Sequence, residues 1–247
     1  MSRFVAPTMG TTVSVELPED LAPAGIFAEV MALLDELEAR FSTFRPDSEI
    51  SRIDRGELTP NEAHSDVREV LAVCTVLRGE SNGAFDAWRD GHLDPSGYVK
   101  GWAGERAADV LRRAGAQSFA INLGGDVICA GERAPSVPWR IGIRHPDDPN
   151  RMVLVLGVRD GAVATSASYE RGEHVSDART GESPTGWASI SVLAPDLATA
   201  DAIATAALAM GEDGPAWAAQ RPDCEVAAMD WASRLWTSPG LEAARVA

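Results

Sequence analysis

The spacing of apolar residues along this chain changes between a helical and a strand-like period. Across 24–41 the apolar positions fall three and four residues apart, which predicts an amphipathic helix. A second helix is predicted to begin at Ser65, whose side chain can cap the first turn, and to end at Gly79. The intervening segment 42–53 is rich in turn residues, and we predict a loop there.

Beyond residue 90, strand-like segments alternate irregularly with three further helices. The helices are predicted from the loop at 94–97 to near Gly115, across the alanine-rich segment 196–211, and near 214–220. The strand predictions cover 11–17, 118–123, 126–130, 138–143, 152–158, 162–168, 187–194 and a closing hairpin over 224–238. Because strict βαβ alternation is missing, this order predicts an α+β fold. No linker or repeat divides the chain, so we expect a single domain over 1–247, with 241–247 as a flexible tail.

Charge and cysteine content narrow the possible partners. The 247-residue chain carries a formal charge of −15 at pH 7, which argues against nucleic acid and anionic membrane as partners. The three cysteines form no CxxC pair and are expected to be small core residues in a reducing, cytoplasmic compartment. The N-terminal residues show no long apolar run, so no signal peptide and no membrane span are expected. An anionic ligand would need a helix N-terminus, a lysine or a metal ion.

The segment 93–126 contains both a helix N-terminus and a lysine that could bind an anion. A loop of small residues leads into a helix that carries Lys100 in its first turns, and a short strand then meets Gly124 and Gly125, followed by Asp126. A loop, a helix start, a lysine and a diglycine together can bring backbone donors close to a phosphate. A simpler interpretation also stands, in which Lys100 is solvated and the glycines only form a hairpin turn.

A second candidate lies in the alanine-rich helix. Asp201 and Thr205 are four residues apart and share one helix face, so they present two hard oxygens of the kind Mg²⁺ prefers. The alternative is a solvated aspartate and a core threonine. His174, in a polar loop, is a candidate proton acceptor, or else a surface histidine. The GxGxxG, GxxxxGK[ST] and GxSxG patterns are missing, which argues against a Rossmann site, a P-loop and an α/β-hydrolase.

Eight segments, taken in order, are similar to the ApbE family of FAD:protein FMN transferases. The resemblance spans about 9–208. It rests on MGTTVSVEL, FSTFRPDSEISRI, GAFDAW, LDPSGYVKGWAGE, INLGGDV, WRIGIRHP, VATSASYERGEHVSDARTG and DLATADAIATAAL.

The resemblance implies a duplicated, T-fold-like α+β architecture with mixed antiparallel sheets and packed helices. It further implies transfer of FMN from FAD to a Thr or Ser hydroxyl of an acceptor flavoprotein, with Mg²⁺ as cofactor and AMP as the other product. Asp201, Thr205 and the Gly97 carbonyl would bind the metal. Because an alcohol is a weak nucleophile, the reaction needs a base, and we expect His174, with Asp177 as the alternative. Lys100 is the second expected catalytic residue and would hold the pyrophosphate oxygens. The residues implied to line the FAD site are Met9, Gly10, Thr11, Phe44, Phe85, Asp86, Lys100, Asn122, Gly124, Gly125, Thr165, Ser166 and His174.

The chain departs from the family pattern in one region above all. Between GAFD and LDPSG the family usually has several more elements, whereas this chain has only 87–93. Phe44 also stands where many members have tyrosine. Two alternatives to transfer therefore remain: hydrolysis of the FAD pyrophosphate to FMN and AMP, and FAD binding without catalysis.

Overall fold

The computed structural model describes residues 1–19, 25–168 and 175–246, apart from the side chain of Pro149. Its strands are β1 (Ser2–Thr8), β2 (Thr11–Leu17), β3 (Trp88–Arg89), β4 (His92–Leu93), β5 (Phe119–Leu123), β6 (Asp126–Ala130), β7 (Trp139–His145), β8 (Asp148–Val158), β9 (Gly161–Ala167), β10 (Trp187–Ala194), β11 (Glu225–Asp230) and β12 (Leu235–Thr237). The helices are α1 (Ile26–Phe41), α2 (Glu49–Asp54), α3 (Ser65–Glu80), α4 (Ser96–Arg113), α5 (Leu197–Met210) and α6 (Gly214–Ala218).

An eight-stranded sheet forms the centre of the fold. Its strand order is β1-β2-β5-β6-β9-β10-β11-β12, and every neighbouring pair is antiparallel. Helices α4 and α5 pack against each other, and α5 also contacts β9 and β10. An antiparallel sheet combined with packed helices is the predicted α+β class.

The two faces of this sheet bury different partners. Ala162 and Ala164 of β9 belong to the core shared with the helices, whereas Val163 between them belongs to a second core. The second core is filled by the β7–β8 hairpin, which forms a separate two-stranded sheet with Trp139 and Ile141 buried. Successive side chains of β9 therefore enter the two cores in turn, because the strand lies between a helical layer on one face of the sheet and the hairpin on the other.

The helix predictions hold in position but need correction at their ends. The predicted loop 42–53 contains most of α2, because Ser48 caps a helix by accepting a hydrogen bond from the Ser51 amide at 3.0 Å and two isoleucines enter the core. Ser65 is the first residue of α3 rather than its cap, since the Asp66 amide donates to His64 Nδ1. Helix α3 also continues to Glu80, one residue past the predicted terminator.

Three further features differ from the sequence prediction. Strand β1 was not predicted, and the shortened segment 87–93 contains the small β3–β4 hairpin. The tail expected to be flexible is docked as far as residue 246. Its first residues belong to the 3₁₀ turn Pro239–Ala244, in which Leu241 is buried, and the Val246 amide donates a hydrogen bond to the Val155 carbonyl at 3.0 Å.

Across the described ranges, each helix is too short or too polar to cross a bilayer.

Candidate active site

The site lies where α4 and α5 approach each other through glycines. A methyl group added at Gly97 would lie 2.9 Å from Thr205 Cγ2, and one added at Gly101 would lie 2.6 Å from Asp201 Cβ. The same added atom at Gly101 would lie 2.5 Å from the Leu197 carbonyl oxygen. Since real side chains essentially never pack this tightly, glycine at these positions is what lets the two helices bring Asp201 and Thr205 against α4.

Asp201 is a buried carboxylate whose contacts both come from α4. The Gly101 amide donates to its Oδ2 at 2.7 Å, and Lys100 Nζ lies 3.7 Å from its Oδ1. Burial raises the pKa of Asp201 to about 7, against the lowering effect of the Lys100 charge, while Asp126 adds to the rise. A cation that reached this carboxylate would favour its charged form.

Asp126, which the sequence prediction did not select as a site residue, is the second buried carboxylate. It is 1 % exposed and starts β6 directly after the diglycine turn. Its Oδ2 lies 2.6 Å from Lys100 Nζ, and its Oδ1 accepts a hydrogen bond from the Thr165 amide at 2.9 Å. The available signal was its position after Gly124 and Gly125, but its burial and its partner depend on the tertiary structure.

The predicted hydroxyl residues separate into two roles. Ser166 Oγ lies 3.0 Å from Thr205 Oγ1, and both side chains are buried. The neighbouring Thr165 bonds instead through its Oγ1 to Ser191 Oγ at 2.8 Å. Thr165 therefore contacts the site through its backbone amide, whereas Ser166 orients the hydroxyl of the predicted metal ligand.

The predicted flavin-contacting turns lie side by side at one end of the sheet. Met9 and Gly10 join β1 to β2 with positive φ angles of 47° and 69°. Gly124, at φ 64°, comes so close to Thr11 that an added methyl would lie 2.7 Å from Thr11 Oγ1. A side chain at Gly124 would thus be both strained and obstructed.

Within the second of these turns, the Gly125 amide donates to Asn122 Oδ1 at 3.0 Å. This bond closes the hairpin between β5 and β6, as the simpler interpretation of the diglycine requires. The diglycine therefore forms the hairpin turn of the simpler interpretation, and the same hairpin places Asp126 beside Lys100 in an ion pair.

The predicted aromatic and acidic residues before α4 are placed differently. Phe85 is buried against Gly97, whose added methyl would lie 3.1 Å from Phe85 Cε2. Asp86 accepts hydrogen bonds from Arg78 Nε at 2.6 Å and from the Trp88 amide at 2.9 Å, so it organises the entry to β3. Phe44 is 94 % exposed on the loop between α1 and α2.

Of the two candidate bases, His174 lies outside the described residues. Asp177 is described, and its ion pair with Arg179 at 2.6 Å lowers its pKa, chiefly through the hydrogen bond from the guanidinium group. A lowered pKa makes a carboxylate a poorer proton acceptor at neutral pH. Asp177 is therefore a weak candidate for the base.

The donor set suits a hard divalent cation. Asp201 supplies a carboxylate oxygen and Thr205 a hydroxyl, with Ser166 bonded to Thr205 and Asp126 beside Lys100 in the same cluster. Within the described ranges, no three or more His, Cys, Asp or Glu side chains gather around one point. Mg²⁺ is commonly bound by one or two carboxylates and completes its shell with phosphate oxygens and water, so this set fits an ion that binds together with a phosphorylated ligand.

The α+β fold, with a lysine, carboxylates and hydroxyls gathered where α4 and α5 meet, is typical of a protein that binds a phosphorylated ligand. The ApbE family model matches residues 9–90 and 87–228, and the chain belongs to this family. It is 26 % identical to the FAD:protein FMN transferase of Vibrio cholerae over 84 % of this chain and 80 % of that protein. It is also 26 % identical to the one from Haemophilus influenzae, over 83 % and 80 %.

Solved structures of the family share this fold. The flavin transferase ApbE from Vibrio cholerae superposes with a TM-score of 0.84 at 25 % identity, covering 98 % of both chains. The ApbE protein from Thermotoga maritima superposes with a TM-score of 0.86 at 20 % identity, covering 100 % of this chain and 99 % of that one. The predicted ApbE-like architecture is thereby confirmed.

Proposed function

We propose that this protein transfers FMN from FAD to a Thr or Ser hydroxyl of an acceptor flavoprotein, with Mg²⁺ as cofactor and AMP as the second product. The observation that carries the proposal is the buried cluster in which α4 and α5 bring Lys100, Asp201 and Thr205 together. Membership of the family and the names of its curated relatives support the reaction type.

In this proposal the cluster binds the pyrophosphate of FAD. Asp201, Thr205 and the Gly97 carbonyl would hold Mg²⁺, which when bound supplies positive charge to the pyrophosphate oxygens. Lys100, whose side chain is about one-third exposed, would bind a phosphate oxygen. The turns containing Gly10 and Gly124, together with Phe85 and the exposed Phe44, would contact the rest of FAD.

The chemical step is a displacement at phosphorus. The acceptor hydroxyl oxygen bonds to the FMN phosphorus, the bond from that phosphorus to the bridging oxygen breaks, and AMP leaves with that oxygen. The hydroxyl must lose its proton, and we assign this proton to His174 in preference to Asp177, whose pKa is lowered by Arg179. The buried, unpaired state of Cys74, Cys129 and Cys224 supports a reducing compartment such as the cytoplasm.

The test is in-gel flavin fluorescence of an acceptor flavoprotein after incubation with the protein, FAD and Mg²⁺. We expect covalent fluorescence that Asp201→Asn abolishes, because the amide cannot supply the negative charge at the metal. Asp109→Asn is the matched control, since Asp109 is a partly exposed residue of α4 that pairs with Arg112. No labelling of several Thr- and Ser-containing acceptors would contradict the proposal.

An acceptor-free reaction tests the alternatives. FMN and AMP formed from FAD alone would indicate hydrolysis, for which the shortened segment 87–93 is the motivation. The structure fills that segment with a hairpin held by a 2.6 Å hydrogen bond from the Leu93 amide to Asp54. FAD bound with neither labelling nor hydrolysis would indicate a carrier.

A further inference from the structure

Lys100 is the only lysine of the 247-residue sequence, in which the other basic residues are arginines. Its ammonium group lies between two buried carboxylates, at 2.6 Å from Asp126 Oδ2 and 3.7 Å from Asp201 Oδ1. A lysine ammonium is a compact charge on a flexible stem, so the nearer carboxylate determines where it rests. Here the nearer carboxylate is Asp126, which the proposed reaction does not otherwise use.

The second oxygen of Asp126 is anchored to the sheet. Asp126 Oδ1 accepts the Thr165 amide at 2.9 Å, and Ser166, the next residue of β9, bonds to Thr205 Oγ1. The carboxylate is therefore held rigidly between β6 and β9. A buried carboxylate with one oxygen bonded to the backbone can anchor a mobile cation at its other oxygen, which here has Lys100 as its ion-pair partner.

We propose that Asp126 is a positioning residue that holds the Lys100 ammonium group 2.6 Å from its own Oδ2, so that the ion pair of Lys100 with Asp201, at 3.7 Å, stays loose and Asp201 remains available to a divalent cation. The inference rests on the proposed function for the identity of that cation as Mg²⁺. Without the charge of Asp126, the remaining carboxylate near Lys100 within the described residues is Asp201. The ion pair of Lys100 with Asp201 would then tighten, and it must be broken before a metal ion binds.

A double-mutant cycle on metal binding tests this without FAD. Mn²⁺ serves as the probe, and its dissociation constant is measured by electron paramagnetic resonance for the full chain. We expect Asp126→Asn to weaken Mn²⁺ binding by about tenfold, a usual size for coupling between two sites. The asparagine keeps an oxygen that can accept the Thr165 amide. We expect Asp109→Asn, which also removes one negative charge, to change the constant by less than about twofold.

The second half of the cycle distinguishes an effect of Asp126 through Lys100 from a direct effect of its negative charge on the metal ion. In a Lys100→Met background, Asp126→Asn is expected to change the Mn²⁺ constant by less than about twofold, because no ammonium group remains to move. The same tenfold loss in both backgrounds would show that Asp126 acts as a nearby charge, and the inference would be wrong.

A measurement on the unaltered protein does not depend on how the variants fold. Labelling with ¹⁵N at the lysine side chain yields a single ammonium signal, since the sequence has one lysine. We expect this signal to remain sharp and protected from water exchange through a Mg²⁺ titration, because Asp126 still holds the group. Loss of the signal as Mg²⁺ binds would overturn the inference.

The outcomes also separate this inference from the proposed function. Flavin transfer by the wild type together with equal losses in both backgrounds overturns the role of Asp126 alone. A wild type that binds no Mn²⁺ and shows no response to Mg²⁺ overturns the inference and the magnesium part of the proposed function together.

Discussion

The α4–α5 helix pair and the β7–β8 hairpin are built on opposite principles. In the helix pair, glycines bring two backbones together around the buried carboxylate of Asp201 and its ion-pair partner Lys100. In the hairpin, β7 alternates buried and exposed residues in strict order, and its inward side chains form an apolar core. The comparison teaches that regular periodicity marks the part of this protein that supports the sheet, whereas close backbone contact marks the part that carries its polar site.

The largest expected effect comes from adding a methyl group at the helix contact. Gly101→Ala would place Cβ 2.5 Å from the Leu197 carbonyl and 2.6 Å from Asp201 Cβ, so the backbones must separate. We expect about 3 kcal/mol or more of lost unfolding free energy, and weaker Mn²⁺ binding in the protein that still folds. Chemical denaturation and electron paramagnetic resonance measure the two effects.

The matched control lies in the hairpin. Gly142→Ala would meet Met152 Sδ at 2.7 Å, but that side chain is flexible and half exposed, so it can move aside. We expect a loss of less than about 1 kcal/mol. Equal costs for the two glycine substitutions would mean that the helix contact is not specially tight, and the comparison would fail.

The next largest effect is expected in the hairpin core, where a substitution should lower stability without changing metal binding. Leu156→Ala removes a fully buried side chain of β8 from the hairpin core. We expect about 2–4 kcal/mol of destabilisation through the cavity left behind, with an unchanged Mn²⁺ constant below the melting temperature. A Mn²⁺ constant that weakens along with stability would contradict the division into a supporting face and a site-bearing face.

A smaller effect is expected inside the site. Ser166→Ala removes the hydroxyl 3.0 Å from Thr205 Oγ1, which leaves the threonine hydroxyl without this orienting partner. We expect about 1 kcal/mol of lost stability and a several-fold weaker Mn²⁺ constant. Ser191→Ala, which removes a hydroxyl bond to Thr165 instead, is the control and should leave metal binding nearly unchanged.

The smallest difference between the two regions concerns their thiols. Burial raises the pKa of Cys74, in the helical core, and of Cys129, in the hairpin core, from 9.0 to about 12. Because the thiolate is the reactive form, both should resist alkylation at pH 8 until the chain unfolds. The same shifts imply that stability falls as pH rises above 9, where unfolded thiols ionise and folded ones do not. Mass spectrometry of labelled protein gives both rates, and fast native labelling at either thiol would contradict the burial.

Much of this protein is determined by short-range pattern in its sequence. The spacing of Asp201 and Thr205 places them on one helix face whatever surrounds the helix, and the ordered motifs indicate the family and its α+β fold. The alternation in 138–143 likewise predicted β7. These features depend on residues a few positions apart, whose geometry is set by the local backbone.

The tertiary structure alone decided which of those residues share an environment. Nothing in the sequence indicated that Asp126 would pair with Lys100. It becomes a site residue because β6 brings its carboxylate to the Lys100 ammonium group. Gly101 resembles any helix glycine until α5 packs against it. The burial of Asp201, its ion pair and its raised pKa all depend on elements that are far apart in the chain. Gly101 and Asp201, for example, are separated by 100 residues, so local spacing in the sequence does not predict these properties.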